Sequence, residues 1–301
     1  MTYTAGKTSV KKIARYMLEH VGDITWHYHA GIYTLPIKVA VEKNIPFIVW
    51  GEHGFAELTG LVSLKDFVEF TKWSRREHNM RGIEPEDLVG KGGITVNDIE
   101  PYIYPSDEQI EECDVRGIYV SNYFKWDAEE HAKLMKTEWN FGYITYKRDR
   151  TFALYSKIED HANDVHDYMK YLKFGYGRAT DDASMEIRHG RITRKEGLRL
   201  VKEYDAREPQ TLAYYCDFLG ITVEEFYSVL DDQRDPEIWE KRGDTWHVKD
   251  AVWKNVDLEN VKLESKIFTS VGDGMYYNDD IPPQKTGEHE LDDFPHSFKW
   301  M

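Results

Sequence analysis

The chain has 301 residues, enough to bury a sizeable core in one large domain or two modest ones. Its 54 acidic residues outnumber its 39 basic residues, and the formal net charge of −15 argues against nonspecific binding to nucleic acid. An aromatic content of 14% excludes general disorder, and the two cysteines form no metal-binding or redox motif. Neither a signal-peptide pattern nor a bilayer-length apolar run is found, so we expect a cytoplasmic protein without a membrane span.

The first part of the chain predicts two helices followed by a strand. Apolar side chains recur at helical spacing over residues 9–20, and a second helix is predicted over 31–43. Residues 45–50 are almost wholly apolar, which is typical of a strand that is buried on both faces of a parallel sheet. This order of elements favours an α/β architecture.

The loop after this strand is a candidate ligand-binding loop. In open parallel sheets, ligands bind beyond the carboxyl ends of the strands. The candidate nucleotide-binding loop therefore consists of Gly51, Glu52 and His53. Glu52 has two interpretations. It holds Mg²⁺ or orients a nucleotide, or it is a loop carboxylate in water. His27 and His29 lie upstream, but these histidines show no recognised ligand spacing, and we predict no metal site.

The rest of the chain is predicted to be mainly helical. A helix is expected over 62–78, a Gly/Pro-rich connection over 81–105, a short strand at 117–120, a helix over 127–138, and four or five helices over 162–232. Capping-box patterns precede helix-compatible segments, and Asp127 is a further N-cap candidate. The capping patterns begin at Ser106, Ser156, Thr193 and Thr222.

Three regions follow from this pattern. Residues 1–100 are interpreted as the C-terminal half of a nucleotide-binding α/β domain, and residues 101–252 as a mainly helical domain. Residues 253–301 are rich in acids and lack periodicity, so we expect a loosely ordered tail.

The most informative segment is 166–191, in which glycines flank Tyr176 and charged residues crowd a short stretch. The glycines are predicted to end a helix over 162–173, and Thr180 is predicted to cap a second short helix that ends near Gly190. The segment is either a site that binds an anionic group or a packed turn with solvated charges. The candidate substrate-binding residues are Lys173, Tyr176, Gly177, Arg178, Asp181, Arg188, His189 and Arg191.

Four segments of the chain resemble the N-acetyl sugar amidotransferase family of the PP-loop ATP pyrophosphatase superfamily. The resemblance extends from about residue 9 to residue 253, and its last segment is the most distinctive. The segments are WHYHAGIYTLPIKVAVEKNIPFIVWGEHG, PYIYPSD, GIYVSNYFKWDAEEH and HDYMKYLKFGYGRATDDASMEIRHGRITRKEGLRLVKEYD.

The resemblance implies an enzyme of surface-polysaccharide biosynthesis, including lipopolysaccharide and its O-antigen. Such enzymes convert the acetamido group of a sugar or sugar nucleotide to an acetamidino group. ATP, with Mg²⁺, adenylates the amide oxygen, and ammonia then displaces AMP. The ammonia is expected from a separate glutaminase and synthase pair. The implied fold is a Rossmann-like sheet of the adenine nucleotide alpha hydrolase type, followed by a mainly helical domain.

The chain departs from the family at its start. The family has a strand followed by an SGGxDS phosphate loop, and this motif occurs nowhere in the sequence. The sheet is therefore expected to be partial, and no residue is assigned to the phosphate loop. No catalytic residue is assigned either.

Three hypotheses about function remain open on the sequence. In the first, the chain is an amidotransferase subunit whose phosphate loop lies on a second chain. In the second, it is a non-catalytic homologue that binds a sugar nucleotide or the glutaminase partner. The third hypothesis is a helical interaction module without a small-molecule site.

Overall fold

The computed structural model describes residues 3–51, 70, 72, 75–120, 126–145 and 147–254, together with the backbone of two short strands at 270–271 and 275–276. The structure is mixed α/β and contains a parallel sheet of two strands among these residues. The chain divides into two compact units, Met1–Trp126 with Glu264–Met301, and Asp127–Leu263.

The described elements of the first unit are four helices and two pairs of strands, numbered here in chain order. The helices are α1 (Lys7–Val21), α2 (Trp26–Lys43), α3 (Val96–Ile99) and α4 (Asp107–Cys113), and the first pair of strands is β1 (Phe47–Trp50) and β2 (Arg116–Tyr119). A π-helical turn covers Arg75–Asn79. The second pair, β5 (Ser270–Val271) and β6 (Met275–Tyr276), is antiparallel.

The second unit contains six helices and one hairpin among its described residues. The helices are α5 (Ala128–Trp139), α6 (Ala162–Phe174), α7 (Arg178–Arg188), α8 (Arg194–Tyr204), α9 (Leu212–Leu219) and α10 (Val223–Asp231). The hairpin consists of β3 (Trp239–Arg242) and β4 (Thr245–Val248), which pair antiparallel. The prediction of four or five helices over 162–232 is therefore confirmed, with five observed.

The predicted helices 9–20 and 31–43 are confirmed as α1 and α2, although α2 begins earlier, at Trp26. The indole of Trp26 is buried and donates a hydrogen bond of 2.9 Å to the carbonyl of Met80. Because this contact comes from a distant part of the chain, local sequence did not indicate the earlier start. The core around it contains Ile13, Met17, Trp26, Ala30, Met80, Leu88, Ile94, Ile99 and Tyr102.

The two strands of the parallel sheet pair in register from Phe47 with Arg116 to Trp50 with Tyr119. Gly117 is required because a Cβ there would lie 2.2 Å from the Trp50 ring. The strand prediction is confirmed, but burial on both faces is wrong, since Phe47 is 49% exposed and Val49 is 53% exposed. The other face of β1, formed by Ile48 and Trp50, packs against the hydrophobic core. Whether the sheet is Rossmann-like stays a prediction.

The hairpin in the second unit was not predicted, because β3 is mostly charged and shows little alternation. It is held by Trp239, whose indole donates a hydrogen bond of 3.2 Å to the carbonyl of Lys173. The Arg234 guanidinium also lies 4.3 Å from the centre of the Trp239 ring. The hairpin therefore packs beside the end of α6.

Residues 147–157 form no helix or strand, and two buried arginines supply hydrogen bonds to the surrounding backbone. Arg148 donates to the carbonyls of Ala153 and Lys157, at 3.1 and 3.3 Å, and to Ser156. Arg150 donates to the carbonyl of Tyr204 at 3.1 Å. Arg148 thus satisfies carbonyls of the irregular segment itself, and Arg150 ties the segment to the end of α8.

The predicted caps have mixed outcomes. Ser106 and Thr222 form complete capping boxes, and Asp127 caps α5 by accepting from the Glu130 amide at 3.2 Å. Thr193 accepts from the Glu196 amide at 3.2 Å. The prediction at Ser156 is wrong, because the next helix begins only at Ala162.

Several predictions fall outside the described residues. They include most of the predicted helix over 62–78 and nearly all of the predicted tail. Among the described helices, none offers the long apolar stretch that a bilayer crossing demands.

Candidate functional site

The predicted nucleotide-binding loop follows β1 in the first unit. Gly51 is exposed, and a Cβ there would meet no atom within 4 Å. Glu52 and His53 lie outside the described residues. Nucleotide binding at this loop therefore stays a prediction.

The predicted substrate-binding residues all lie in the second unit, on α6, on α7 or in the turns that follow them. Gly175 ends α6 with a φ of 73°, a left-handed conformation that favours glycine. The Tyr176 ring lies beneath the Lys170 ammonium, at 4.4 Å from Nζ to the ring centre. Lys173 is half-buried, and its carbonyl accepts the hydrogen bond from Trp239. The turn is thus packed on both sides.

Gly177 is required for close packing. A Cβ at this position would lie 2.9 Å from Nη2 of Arg150 and 2.9 Å from Oδ1 of Asp205. Both neighbours have no exposed surface, so they have little room to move away. The glycine thus serves the packing of the backbone against a buried pair of charges.

Asp205 caps the start of α7 from the far end of α8. Its carboxylate accepts from the Thr180 amide at 3.2 Å and from the Thr180 hydroxyl at 2.5 Å. The Gly177 amide also donates to it. The prediction that Thr180 caps this helix is therefore wrong, because Thr180 lies within α7 and acts as a donor to the distant cap.

Arg178 is buried and its donors face other residues of the same unit. Its Nη2 donates to the Ser156 hydroxyl at 2.9 Å, and its Nε lies 3.2 Å from Oδ1 of Asp182. The Thr151 hydroxyl donates to the other oxygen of Asp182. Despite the cost of burial, the surrounding carboxylates hold the pKa of Arg178 above its usual value. Arg178 is thus built into the fold.

Asp167 is a second buried charge beside Arg178. Lys157 donates to its Oδ1 at 2.9 Å. Burial raises the pKa of Asp167, but the charges of Lys157 and Arg178 outweigh burial and hold the pKa below its usual range. Two atoms in this cluster, Oδ2 of Asp167 and Nε of Arg178, have no hydrogen-bond partner among the described residues.

Asp181 is buried, and its ion-pair partner is Lys170. The Lys170 ammonium donates to its carboxylate at 2.6 Å. Burial raises the pKa of Asp181 to about 6, although the Lys170 charge acts in the opposite direction. Asp181 therefore titrates closer to neutral pH than an ordinary aspartate does.

This raised pKa gives a testable dependence of stability on pH. Because the folded pKa is higher than the unfolded pKa of about 3.9, the folded state binds the proton more tightly. The stabilisation that results is complete below pH 4 and is lost as the pH rises through 6. We expect the free energy of unfolding of wild type, relative to Asp181→Asn, to fall between pH 4 and pH 7, as measured by urea denaturation. A difference that is constant with pH would show that Asp181 has an ordinary pKa.

The remaining predicted residues lie at the other end of α7. Arg191 donates to Glu186 and Asp127, at 2.7 Å in each case, and also lies 2.7 Å from Glu129. His189 lies 3.3 Å from the same Asp127 carboxylate, while Arg188 is exposed. At 1.5 Å per residue, about 15 Å of helix separates the position of Arg178 from that of Arg188.

The structure thus divides the predicted substrate-binding residues into two groups. The first group lies around the turn that precedes α7 and the first turn of α7 itself, and it consists of Lys173, Tyr176, Gly177, Arg178 and Asp181. Arg188, His189 and Arg191 lie at the end of α7.

Sequence reasoning missed several residues that complete these groups. The missed residues are Lys157, Asp167, Lys170 and Asp205 in the first group, and Glu129 and Glu186 in the second. Spacing on one helix face could have indicated Asp182 as the partner of Arg178, at positions i and i+4. Nothing in the local sequence indicates Asp205.

Residues 143–252 match a family model described as "LPS biosynthesis protein WbpG-like, C-terminal domain". The match covers α6 to α10 and the hairpin, and so includes all predicted substrate-binding residues. No curated protein matches the chain. The match supports the lipopolysaccharide-biosynthesis family for this part of the chain.

Proposed function

We propose that this chain contributes the sugar-binding part of an ATP-dependent N-acetyl sugar amidotransferase in lipopolysaccharide biosynthesis. The observation that carries the proposal is the WbpG-like family match over residues 143–252, which contains the whole of the most distinctive segment of the sequence resemblance, residues 166–205. The amidotransferase reaction itself comes from that resemblance.

The proposed reaction replaces the carbonyl oxygen of an acetamido group by nitrogen. An amide carbonyl is a poor electrophile, so its oxygen is first joined to the α-phosphorus of ATP, and pyrophosphate leaves. Ammonia then adds to the carbon, and AMP departs with the former amide oxygen. The products are an acetamidino sugar, AMP and pyrophosphate. The role assigned to the second unit is to hold the sugar and to exclude water, which competes with ammonia for the activated carbon.

The proposed contacts for ATP lie in the loop after β1. Gly51, Glu52 and His53 are the proposed nucleotide contacts, of which Gly51 alone is described. Among the described residues, no group of three or more His, Cys, Asp and Glu side chains is arranged to hold a metal ion. No step is therefore assigned to Mg²⁺ here, and the phosphate loop is proposed to come from outside these 301 residues.

A second candidate is a non-catalytic homologue that binds a sugar nucleotide or the glutaminase partner. The absence of an SGGxDS motif from the sequence favours it. The two candidates differ in one product, because only the amidotransferase forms an amidine.

The test supplies the purified chain with ATP, Mg²⁺, ammonium chloride and a panel of acetamido sugar nucleotides, with and without a polypeptide that carries SGGxDS. Ammonium replaces the glutaminase as the source of nitrogen. We expect little or no pyrophosphate from the chain alone, and equal amounts of pyrophosphate and amidino sugar when the second polypeptide is present. Mass spectrometry detects the exchange of O for NH. Strong pyrophosphate release by the chain alone would contradict the need for an outside phosphate loop, and pyrophosphate without amidine would contradict the amidotransferase.

A further inference from the structure

A cleft lies beside α1 in the first unit, at the glycine-rich loop 90–93. Its volume is about 330 Å³, at the lower end of the range of about 300–1,000 Å³ that is typical of small-molecule sites. Thr8, Arg15 and Gly92 on its wall are exposed, so solvent reaches the cleft. The lining residues from α1 are Thr8, Lys11, Lys12, Arg15, Tyr16 and Glu19, and the loop contributes Gly92.

Hydrogen bonds fix both walls of this cleft. The buried Asp98 accepts from the Ser9 hydroxyl at 2.5 Å and from the Lys12 ammonium at 3.0 Å, which ties α1 to the segment that follows the loop. The loop is closed by the Gly90 amide, which donates to the carbonyl of Ile94 at 2.9 Å. Ile94 itself is buried in the core. The cleft is therefore shaped in advance of binding, which lowers the cost of ordering a ligand there.

The lining of the cleft has an excess of positive charge. Two of its three cations have carboxylate partners, since Lys12 lies 3.0 Å from Asp98 and Arg15 lies 3.0 Å from Glu19. Lys11 has no ion-pair partner among the described residues. One positive charge is thus uncompensated, and it lies on a half-buried side chain in the wall of the cleft.

This concentration of cations does not stabilise α1. Residues 7–15 contain four bases and no acid, although the whole chain has a net charge of −15. The first turn of α1 has no acidic residue, and cations near the N-terminal end of a helix are unfavourable. Like charges at positions i and i+4, as at Lys7, Lys11 and Arg15, are also destabilising. A bound anion would offset this repulsion.

The donors of the cleft suit a phosphate group. Thr8, Lys11 and Arg15 are spaced three and four residues apart, so they lie on one face of α1 in successive turns. Each of the three side chains can donate a hydrogen bond. A phosphate group presents three strong acceptor oxygens, whereas a carboxylate presents two. A phosphate can therefore bond all three donors together.

We propose that the cleft beside α1 binds the phosphate group of a phosphate ester. Lys11 and Arg15 bind the phosphate through charge-assisted hydrogen bonds, and the Thr8 hydroxyl is the third donor. The inference does not depend on the proposed function. The lining residues lie outside the WbpG-like match and outside the predicted nucleotide-binding loop.

The test measures binding of glycerol 1-phosphate to the full chain by ligand-observed NMR titration, with glycerol as the matched ligand without a phosphate. We expect wild type to bind the ester and not glycerol. Lys11→Ala is expected to weaken binding about tenfold, as the loss of one charge-assisted hydrogen bond predicts. Glu19→Gln is expected to strengthen binding, because it removes a carboxylate from the lining of the cleft.

Lys43→Ala is the matched control. Lys43 is an exposed lysine at the end of α2 in the same unit, and its loss changes the net charge equally without altering the lining of the cleft. The control is expected to bind like wild type. Circular dichroism melts of each variant separate a loss of binding from unfolding.

A second arm identifies the source of the phosphate, because phospholipid headgroups contain the same group. It measures sedimentation of the chain with vesicles of phosphatidylglycerol and phosphatidylcholine. Sedimentation that Lys11→Ala abolishes would support a lipid headgroup as the ligand, and binding of glycerol 1-phosphate without sedimentation would support a soluble ester. Three outcomes would overturn the site: no binding of either phosphate probe by wild type, equal affinity in Lys11→Ala and Lys43→Ala, or weaker binding in Glu19→Gln.

Discussion

Arg178→Ala is expected to lower the free energy of unfolding by about 3–5 kcal/mol, the range for breaking a buried ion pair by removing one partner. The substitution would leave the Asp182 carboxylate, which is 2% exposed, without its cation. It would also remove the donor to Ser156 and a favourable charge from Asp167. Urea denaturation followed by circular dichroism measures the effect.

Arg188→Ala is the matched control, because Arg188 lies on the same helix and is exposed. A surface substitution of this kind is expected to change the free energy of unfolding by no more than about 0.5 kcal/mol. If the two variants were equally stable, Arg178 would not be part of the structural core of the unit, and a direct role in binding a ligand would become the better interpretation.

The contrast decides how binding experiments on this segment are interpreted. Loss of ligand binding in Arg178→Ala is expected to follow from a damaged fold, whatever the ligand. Loss of binding in Arg188→Ala at unchanged stability would instead identify a contact. Both residues were candidates on the sequence, and burial separates them.

Asp205→Ala is expected to be similarly destabilising, by about 3–5 kcal/mol. The substitution removes the acceptor for the amides of Gly177 and Thr180 at the start of α7. It also removes a negative charge that faces the buried Arg150. Hydrogen exchange measured by mass spectrometry is expected to show faster exchange in the first turn of α7.

Asp217→Ala is the control for this substitution, because Asp217 is an exposed aspartate on α9. Its replacement is expected to leave both the stability and the exchange of α7 unchanged. Rapid exchange in α7 without a loss of global stability would mean that Asp205 serves the cap alone, and that Arg150 is balanced by other groups.

Much of the helical fold follows from local patterns. Apolar spacing located α1 and α6, and Ser-x-x-Gln and Thr-x-x-Glu patterns located the starts of α4 and α10. These features depend on neighbours within a few residues, so local sequence records them. The hairpin and the early start of α2 depend on Trp239 and Trp26, whose indoles donate to distant backbone.

The sequence predicted where the candidate site lies, but it did not predict what its residues do. The segment around Gly175–Gly177 was identified by its unusual composition, and it does concentrate buried charge. What the pattern could not indicate is that its charges meet partners from elsewhere in the chain. Asp205 and Lys157 approach Gly177 and Asp167 only after the chain has folded. A packed turn and a binding site therefore share the same sequence pattern.

The two arginines that hold residues 147–157 have a consequence for handling the protein. The hydrogen bonds from Arg148 and Arg150 end on backbone carbonyls, which carry no titratable proton, so a change of pH leaves these acceptors unaltered. Lysine offers a single nitrogen, whereas Arg148 donates from two, to Ala153 and Lys157 among others. Acidification that protonates Asp167 is therefore expected to release the contact of Lys157 with α6, while the hydrogen bonds from Arg148 to carbonyls within the segment remain.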